Sequence, residues 1–383
     1  MEKGLSRRNL LRQLTGGVVT AAIPALARGG VLLAENSRGS AGPISLSRNE
    51  NAYGPSTKVV AAMQQAAAIA ANRYPVAETE ALRTKIAALH DVAPAQVVLG
   101  CGSTDIMRMA VEAFLVPGGG GKKLIVALPT ADVISGFASR AGAEVVSVPL
   151  AANRAHDLSA MLARTDVRTG LVYICNPNNP TGTLTPRREI EAFVRSLPAT
   201  CHVVIDEAYH HYVGKPADYA SFIDRPIDDH RIIVTRSFSN IHGLAGLRVG
   251  YAIAAARTAP VLGFRRLPDG VNVVAARATL AALDDISHIV TSARRNADDR
   301  QEFRNQANAR MVRTIDSQTN FVMIEAGPTA TDVVRHFREH DIALPHPFPS
   351  FDRYVRVSLG TPAQMHEFWR VWDLVPRQGM SQM

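Results

Sequence analysis

The 383-residue sequence is poor in the features that mark several special classes of protein. It contains only three cysteines, an odd number without the spacing of metal ligands, so neither a disulfide framework nor a zinc site is indicated. They are Cys101, Cys175 and Cys201, and each lies beside or within an apolar run, as a small buried hydrophobe does. The absence of internal repeats and low-complexity tracts excludes a solenoid.

The charge balance is basic but does not indicate a nucleic-acid partner. The net charge is +8, yet the basic residues are scattered, and no Lys/Arg run is interleaved with aromatic residues. With 46% hydrophobic and 20% charged residues, the composition is that of an ordinary globular protein. A chain of this length can bury a large core and is expected to form two domains.

The N-terminal segment predicts export by the twin-arginine route. Arg7 and Arg8 precede a mildly apolar, glycine- and alanine-rich stretch at 15–22, and a small-x-small cleavage pattern ends at Ala27. We therefore interpret residues 1–27 as a signal peptide and the mature protein as periplasmic. The alternative is an amphipathic start to a cytoplasmic chain. The apolar stretch is too short and too rich in glycine to be a stable membrane anchor.

Seven short apolar runs predict an α/β fold with a mostly parallel sheet. They are nearly continuous, as in strands that helices cover on both faces, and helix-length segments separate them. The runs are 97–99, 124–128, 145–148, 171–175, 203–205, 232–234 and 249–253. Because such sheets bind ligands outside the carboxyl ends of their strands, the residues just after each run are the candidates for a site.

Composition and pattern also suggest where the domains begin and end. Residues 28–72 are expected to form a linker, an N-terminal arm and a helix, and residues 73–262 the large domain. A smaller α+β domain is expected over 263–383, since apolar runs at 320–324 and 354–358 flank a helical segment.

Two glycine- and hydroxyl-rich turns could form an anion site. The first, GCGSTD at 100–105, follows a predicted strand and opens a helix, so N–H groups, hydroxyls and the positive helix end face one spot. Its plain alternative is a tight turn. The second, SFSNIHGLAGLR at 237–248, supplies hydroxyl and N–H donors and ends in Arg248, which brings the positive charge.

Three further segments carry polar residues after or within predicted strands. The segment NPNNPTG at 176–182 follows the fourth run and could be a plain loop. Asp206 ends the fifth run, where an acid could simply cap the next helix. Arg356 lies within the run 354–358, so it is either an anion ligand or an edge-strand residue that reaches water.

Together these motifs resemble those of fold-type I pyridoxal-phosphate enzymes, most closely the histidinol-phosphate aminotransferase-like group. The resemblance spans roughly 49–360, with the motifs in the same order. It implies the pyridoxal-phosphate-dependent transferase fold and an aminotransferase that moves an amino group between an amino acid or amine and a 2-oxo acid. Pyridoxal 5'-phosphate or pyridoxamine 5'-phosphate is the implied cofactor, and a homodimer is the implied assembly.

The resemblance also implies roles for individual residues. The cofactor phosphate would be bound by Gly102, Ser103, Thr104, Ser237, Ser239, Arg248 and Tyr74 of the partner subunit. The ring would be bound by Asn179, Asp206 and Tyr209, with the acid keeping the pyridine nitrogen protonated so that the cofactor works as an electron sink. Arg356 would bind the substrate carboxylate, with Asn51 and Asn320 nearby.

One position departs from the family pattern in a way that bears on catalysis. Where the family has the lysine that carries the cofactor as a Schiff base, this chain has Asn240, whose amide is neither a nucleophilic amine nor a proton carrier. No lysine follows Lys215 in the sequence. His242 could act as a base near neutral pH. In addition, Ala131 replaces an aromatic residue that stacks on the ring in the family.

These departures leave three explanations open. The chain is an aminotransferase carrying a silencing substitution, a variant that uses pyridoxamine phosphate without an internal lysine, or a binder of the cofactor or an amino compound without turnover. Export also argues against a step of histidine synthesis, whose phosphorylated intermediates are cytoplasmic.

Overall fold

The structure is a computed structural model, and it describes residues 42–116, 123–214, 216–327, 329–348 and 350–376. The predicted signal peptide and the beginning of the predicted linker lie outside these ranges. The described residues belong to one compact unit. Within them, no helix is long and apolar enough to cross a membrane.

The secondary structure alternates between strands and helices over most of the chain. In chain order the strands are β1 (Ile44–Ser45), β2 (Val97–Gly100), β3 (Lys123–Leu128), β4 (Glu144–Pro149), β5 (Thr169–Cys175), β6 (His202–Asp206), β7 (Ile232–Ser237), β8 (Gly250–Ala254), β9 (Phe321–Glu325), β10 (Ile342–Ala343) and β11 (Tyr354–Ser358). The helices are α1 (Thr57–Ala70), α2 (Val76–Leu89), α3 (Ser103–Phe114), α4 (Val133–Arg140), α5 (Leu158–Leu162), α6 (Arg187–Ser196), α7 (Ala259–Gly263), α8 (Val273–Leu283), α9 (Ile286–Ala309), α10 (Ala330–Glu339) and α11 (Pro362–Trp372).

A seven-stranded sheet in the order β2-β8-β7-β6-β5-β3-β4 organises the larger part of the molecule. Only β8 runs against its neighbours, since it is antiparallel to both β2 and β7. Every strand of this sheet corresponds to one of the seven predicted runs, and the predicted mostly parallel α/β sheet is confirmed.

The apolar runs are continuous because helices cover both faces of the sheet. In β5, Val172 and Ile174 pack in one core with residues of α1, α2, α6 and α8. Their neighbours Leu171 and Tyr173 pack on the opposite face with residues of α3, α4 and α7. Since successive strand side chains alternate between faces, a strand that is buried on both faces needs an apolar residue at nearly every position.

A smaller α+β layer follows in the chain. Strands β9 and β11 pair in an antiparallel manner, and α10 and α11 cover them in a separate core. The N-terminal arm joins this layer, because β1 pairs with β10 and Leu46 is buried in the same core. Although α8 follows residue 262, it packs against α1 in the core of the large sheet. The domain boundaries given above remain predictions.

Candidate active site

A cavity of about 1000 Å³ opens at the carboxyl ends of the central strands. Parallel α/β sheets bind their ligands at this edge, because the loops that follow the strands meet there. Ten of the residues proposed from the sequence line it, namely Ser103, Thr104, Asn179, Asp206, Tyr209, Ser237, Ser239, Asn240, Arg248 and Arg356. The fold therefore brings together segments from both the large sheet and the smaller layer.

At one end of the cavity, the turn before α3 lies against the side chain of Arg248. Gly102 has a φ of +81°, and a Cβ added there would lie 2.4 Å from Nη2 of Arg248, so a side chain would displace the guanidinium. Arg248 donates from Nη1 to Ala245 O over 2.9 Å and to Ser239 Oγ over 3.4 Å. Both partners are neutral oxygens, so the guanidinium keeps its charge available for an anion.

The start of α3 completes this end of the cavity. A Cβ added at Gly250 would lie 2.3 Å from Ser103 N, which shows how closely β8 approaches the first turn of the helix. The first N–H groups of a helix have no partner inside it and carry the positive end of its dipole. Ser237 Oγ accepts a hydrogen bond from Ser239 N over 3.0 Å nearby. This arrangement of donors fits a phosphate group.

Asp206 is buried at the end of β6 and accepts hydrogen bonds from neutral donors. Its Oδ2 accepts from the hydroxyl of Tyr173 over 2.8 Å, and its Oδ1 accepts from Ala208 N over 3.0 Å. Burial raises the pKa of this carboxyl to about 6, although the two hydrogen bonds oppose the shift. A buried carboxylate of this kind favours a cationic group on a ligand. The sequence analysis did not identify Tyr173. The feature that could have indicated it is a tyrosine within an otherwise aliphatic strand.

The hydroxyl of Tyr209 is the meeting point of two asparagine side chains. Asn49 donates to it from Nδ2 over 3.0 Å and Asn179 over 3.5 Å. Since the hydroxyl accepts both bonds, its own proton remains free for an acceptor in the cavity. Burial raises the pKa of Tyr209, so that proton is retained.

Asn49 is a site residue that the sequence analysis missed. Its φ of +57° places it in the left-handed region, and its backbone N donates to Ser358 Oγ over 2.9 Å. The sequence around Asn49 does not predict this role, because Asn49 contacts Tyr209 only when the N-terminal arm packs on the smaller layer.

Arg356 on β11 is buried and held on several sides. Nη1 donates to Asn179 Oδ1 and Nη2 to the backbone oxygen of Ser47, both over 2.6 Å. The rings of Phe321 and Phe348 lie 5.5 and 5.2 Å from the guanidinium carbon. Nε is buried and has no partner. Burial lowers the pKa of this guanidinium, and a carboxylate ligand would supply the missing negative charge.

Asn240 lines the cavity and donates from Nδ2 to the backbone oxygen of Ala208 over 3.0 Å. No lysine of the described residues lines the cavity. Lys58, Lys85 and Lys123 instead form ion pairs with carboxylates elsewhere in the fold. Lys122 and Lys215 lie outside the described residues.

The candidate substitute base His242 and the second departure from the family pattern, Ala131, lie in different places. His242 is not among the residues that line the cavity; its ring packs 4.9 Å from that of Phe238, and burial lowers its pKa to about 3. The histidine is therefore neutral near pH 7 and lies behind the cavity wall, which does not favour it as the substitute base. Ala131 does line the cavity and offers no ring there.

Three other residues proposed from the sequence, Tyr74, Asn51 and Asn320, do not line the large cavity. Tyr74 is 81% exposed. Asn51 and Asn320 line a second, much smaller cavity, and their amide nitrogens donate to backbone oxygens of Ile241 and Asn49. Direct contact of these two asparagines with substrate remains a prediction, and this geometry does not favour it. Among the described residues, no group of three or more His, Cys, Asp or Glu side chains could hold a metal ion.

The fold, the site and the comparison of sequences all indicate the same class of enzymes. The family model of class I and II aminotransferases matches residues 41–371, and the chain belongs to this family. It is a pyridoxal-phosphate-dependent transferase in fold, and an aminotransferase of the histidinol-phosphate aminotransferase-like type.

Individual relatives give the same result. The chain is 33% identical to histidinol-phosphate aminotransferase of Shouchella clausii over 326 residues, which cover 85% of this chain and 87% of the relative. It is 36% identical to histidinol-phosphate aminotransferase 1 of Thiobacillus denitrificans, with 85% and 83% of the two chains covered. The crystal structure of histidinol-phosphate aminotransferase from Sinorhizobium meliloti in complex with pyridoxal-5'-phosphate superposes with a TM-score of 0.79, at 27% identity, over 93% of this chain and 100% of that one.

Pyridoxal phosphate is the cofactor of the family, and the residues present fit it. The end of the cavity near Arg248 depends on two glycines, because a Cβ at Gly102 would clash with the Arg248 guanidinium and a Cβ at Gly250 would clash with the backbone of Gly102 and Ser103. The buried carboxylate of Asp206 suits the pyridine nitrogen in its protonated form. The hydroxyl of Tyr209 has a proton to offer an oxygen of the ring.

Proposed function

We propose that the protein holds pyridoxal or pyridoxamine phosphate without a covalent lysine link and transfers an amino group between an amino acid or amine and a 2-oxo acid. The observation that carries this proposal is Arg356, a buried cation that forms no ion pair with any described residue and lies in the same cavity as Asp206 and Arg248. A carboxylate at Arg356 and a phosphate near Arg248 would place substrate and cofactor side by side.

Each side chain has a defined task in this proposal. When bound, pyridoxal phosphate supplies an electron sink that acidifies the amino-bearing carbon of the substrate. Asp206 keeps the pyridine nitrogen protonated, since that cation compensates its buried negative charge. Tyr209 donates its proton to the phenolic oxygen of the ring, while Asn49 and Asn179 fix the hydroxyl. Arg356 orients the substrate carboxylate.

Asn240 determines how far the reaction proceeds. By resemblance it occupies the position of the cofactor lysine, and its place in the cavity wall supports that correspondence. An amide cannot form an imine or carry a proton, so we infer slow single half-reactions in place of rapid turnover. The second candidate is a protein that binds the cofactor or an amino compound without turnover, and the lack of a lining lysine among the described residues favours it.

The deciding experiment is a single-turnover absorbance measurement. Purified protein is loaded with pyridoxamine phosphate and mixed with a panel of 2-oxo acids, beside Asn240→Lys. Conversion by the natural protein at a rate near that of N240K supports amino transfer without a lysine. Reaction by N240K alone supports an aminotransferase scaffold that is silenced at one position and acts as a binder. If neither protein binds the cofactor, the assignments of Asp206 and Arg248 are wrong.

We also propose that the protein is exported to the periplasm as a folded, cofactor-loaded homodimer. The support for export is the sequence of residues 1–27, with Arg7 and Arg8 ahead of an apolar stretch. Cell fractionation of the natural chain and of the double variant R7K/R8K tests this. The natural protein is expected in the periplasmic fraction and the variant in the cytoplasm; equal distribution of the two would contradict export by this route.

A further inference from the structure

A small second cavity lies between the N-terminal arm and helix α9. Its volume is about 10 Å³, which is enough for one atom of the size of a water oxygen. It is lined by Glu50, Asn51, Ala52, Tyr53, Tyr212, Ser292, Asn296, Asp299, Asn320 and Leu359, and of the two acids Glu50 is exposed and Asp299 is half-buried. No lysine, arginine or histidine is among the described residues that line it.

The three asparagines direct their amide nitrogens away from this cavity. Nδ2 of Asn51 donates to Ile241 O over 3.0 Å, Nδ2 of Asn296 to Thr319 O over 3.2 Å, and Nδ2 of Asn320 to Asn49 O over 2.8 Å. Because every acceptor is a backbone carbonyl, a flipped amide would set two oxygens against each other, so the orientation is fixed. Oδ1 of Asn51 accepts a hydrogen bond from Tyr53 N over 3.1 Å, so the amide oxygens left to face a ligand are those of Asn296 and Asn320.

Asn320 provides the strongest sign that a ligand belongs in this cavity. The residue is 3% exposed, and its Oδ1 is buried and has no hydrogen-bond partner in the part of the chain that the structure describes. An acceptor that is buried without a partner costs free energy, and native proteins rarely leave one unsatisfied. A ligand at this oxygen must be positive or must donate a hydrogen bond.

Asp299 contributes the negative charge. Its Oδ2 accepts from the hydroxyl of Tyr53 over 2.9 Å, and burial raises the pKa of the carboxyl. The charge of Arg295 partly opposes this rise in the pKa, and its guanidinium lies 4.2 Å from the centre of the Tyr53 ring. Asp299 therefore remains a half-buried anion that a cation in the cavity would stabilise.

We propose that this cavity binds a dehydrated monovalent cation of the size of sodium or potassium. The ligands would be the oxygens of Asn320, Asn296 and Asp299, together with the hydroxyls of Ser292 and Tyr212. Oxygen ligands suit hard cations, and the half-buried carboxylate of Asp299 supplies a negative charge, whereas the second acid of the lining, Glu50, is exposed to solvent.

A cation here would be connected to the active site by two hydrogen bonds. Asn320 donates to Asn49 O, and Asn49 donates from Nδ2 to the hydroxyl of Tyr209 over 3.0 Å. Fixing Asn320 would thus fix Asn49 and the Tyr209 hydroxyl. This second step rests on the proposed role of Tyr209 at the cofactor, whereas cation binding itself does not.

The test begins with thermal unfolding of the cofactor-free protein in potassium, sodium or tetramethylammonium chloride at equal ionic strength. We expect Tm to rise saturably by roughly 2–4 °C in potassium or sodium relative to tetramethylammonium, which is too large for the cavity. D299N should abolish the difference. D298N, which removes the same charge at an exposed neighbouring position, should keep it. Equal Tm values in all three salts, or a rise that survives in D299N, would overturn the proposal.

A crystallographic measurement keeps the proposal testable if D299N does not fold. Crystals of the natural protein grown in rubidium chloride should show an anomalous peak in the small cavity beside Asn320. A water molecule there without anomalous signal would overturn the proposal. Pyridoxal phosphate affinity in potassium against tetramethylammonium then tests the connection to Tyr209; an unchanged affinity beside a clear Tm difference would reject that connection and leave the cation site intact.

Discussion

Nη1 of Arg356 donates to Oδ1 of Asn179 over 2.6 Å, and this bond joins strand β11 of the smaller layer to the loop after β5. The same asparagine donates from Nδ2 to the hydroxyl of Tyr209 over 3.5 Å. Asn179 therefore connects the residue proposed to bind the substrate carboxylate with a residue proposed to bind the cofactor ring. The relative position of the substrate carboxylate and the cofactor ring would therefore depend on the Asn179 amide, which is hydrogen-bonded to Arg356 and to Tyr209.

Replacing Arg356 should weaken binding of 2-oxo acids and leave cofactor binding nearly unchanged. In R356Q we expect affinity of the pyridoxamine-phosphate-loaded protein for a 2-oxo acid to fall by about 30-fold or more, since loss of a buried charged partner costs about 2 kcal/mol or more. Spectroscopic titration measures both affinities. R353Q is the control, because Arg353 is more exposed and pairs with Glu325. Equal losses in the two variants would show that Arg356 is not the carboxylate ligand.

Replacing Asp206 should lower the affinity for the cofactor and raise the stability of the cofactor-free protein. The pKa of Asp206 is about 6 in the folded state against an ordinary value of 3.8, so the folded state binds more protons between these values. Stability therefore falls as pH rises from about 4 to 6, and the penalty, up to about 3 kcal/mol, is fully present above pH 6.

D206N has no such carboxyl and escapes this penalty. Chemical unfolding of the cofactor-free proteins should show D206N gaining stability relative to the natural protein as pH rises from 4 to 7, while its pyridoxal phosphate affinity at pH 7 drops at least 10-fold. The other titrating groups are the same in both proteins, so their effects cancel in the difference between the two stabilities. A difference that stays constant with pH would show that Asp206 ionises normally in the folded state.

Most strands of the large sheet were predictable from sequence because they are buried on both faces and have to be apolar at nearly every position. The edge strand β4 is an exception, since only its Val148 is buried. The order of the strands and the reversed direction of β8 carry no such local signal. Asp206, Asn179 and Arg356 were recognisable from motif and chemistry, since each follows or lies within a strand. Asn49 and Tyr173 were not, because their partners lie 160 and 33 residues away in sequence. The contacts of Asn320 were likewise not predictable from sequence, since they depend on the path of the N-terminal arm.

A methyl group at Gly250 should damage the phosphate end of the cavity. The added Cβ would lie 2.3 Å from Ser103 N and 2.5 Å from Gly102 C, and both are backbone atoms that cannot move aside alone. In G250A we expect a loss of about 1–3 kcal/mol in the free energy of unfolding together with weaker phosphate binding. Denaturant titration and pyridoxal phosphate binding measure the two effects.

G246A is the matched control for G250A. Gly246 lines the cavity, and an added Cβ there meets nothing within 4 Å. It should leave stability and cofactor affinity close to those of the natural protein. If both alanine variants behave alike, the close approach of β8 to the start of α3 does not shape the phosphate site.

The exposed side chain of Tyr74 should serve the cofactor site of a second subunit. Within its own chain Tyr74 is 81% exposed, between α1 and α2, and does not line the cavity. If it completes the partner's phosphate site, Y74A and R248Q should each bind pyridoxal phosphate weakly as pure dimers. A mixed dimer would regain one intact site, because the Y74A subunit keeps its own Arg248 and receives Tyr74 of the partner subunit.

Mixing the two variants separates a shared site from one built within a single chain. After unfolding and refolding together in equal amounts, about one quarter of all sites should regain high affinity if dimers assort randomly. Titration of the mixture measures that fraction, and each variant refolded alone is the control. No recovery on mixing would place Tyr74 in its own subunit's site or outside any site, and a monomer by sedimentation would exclude sharing altogether.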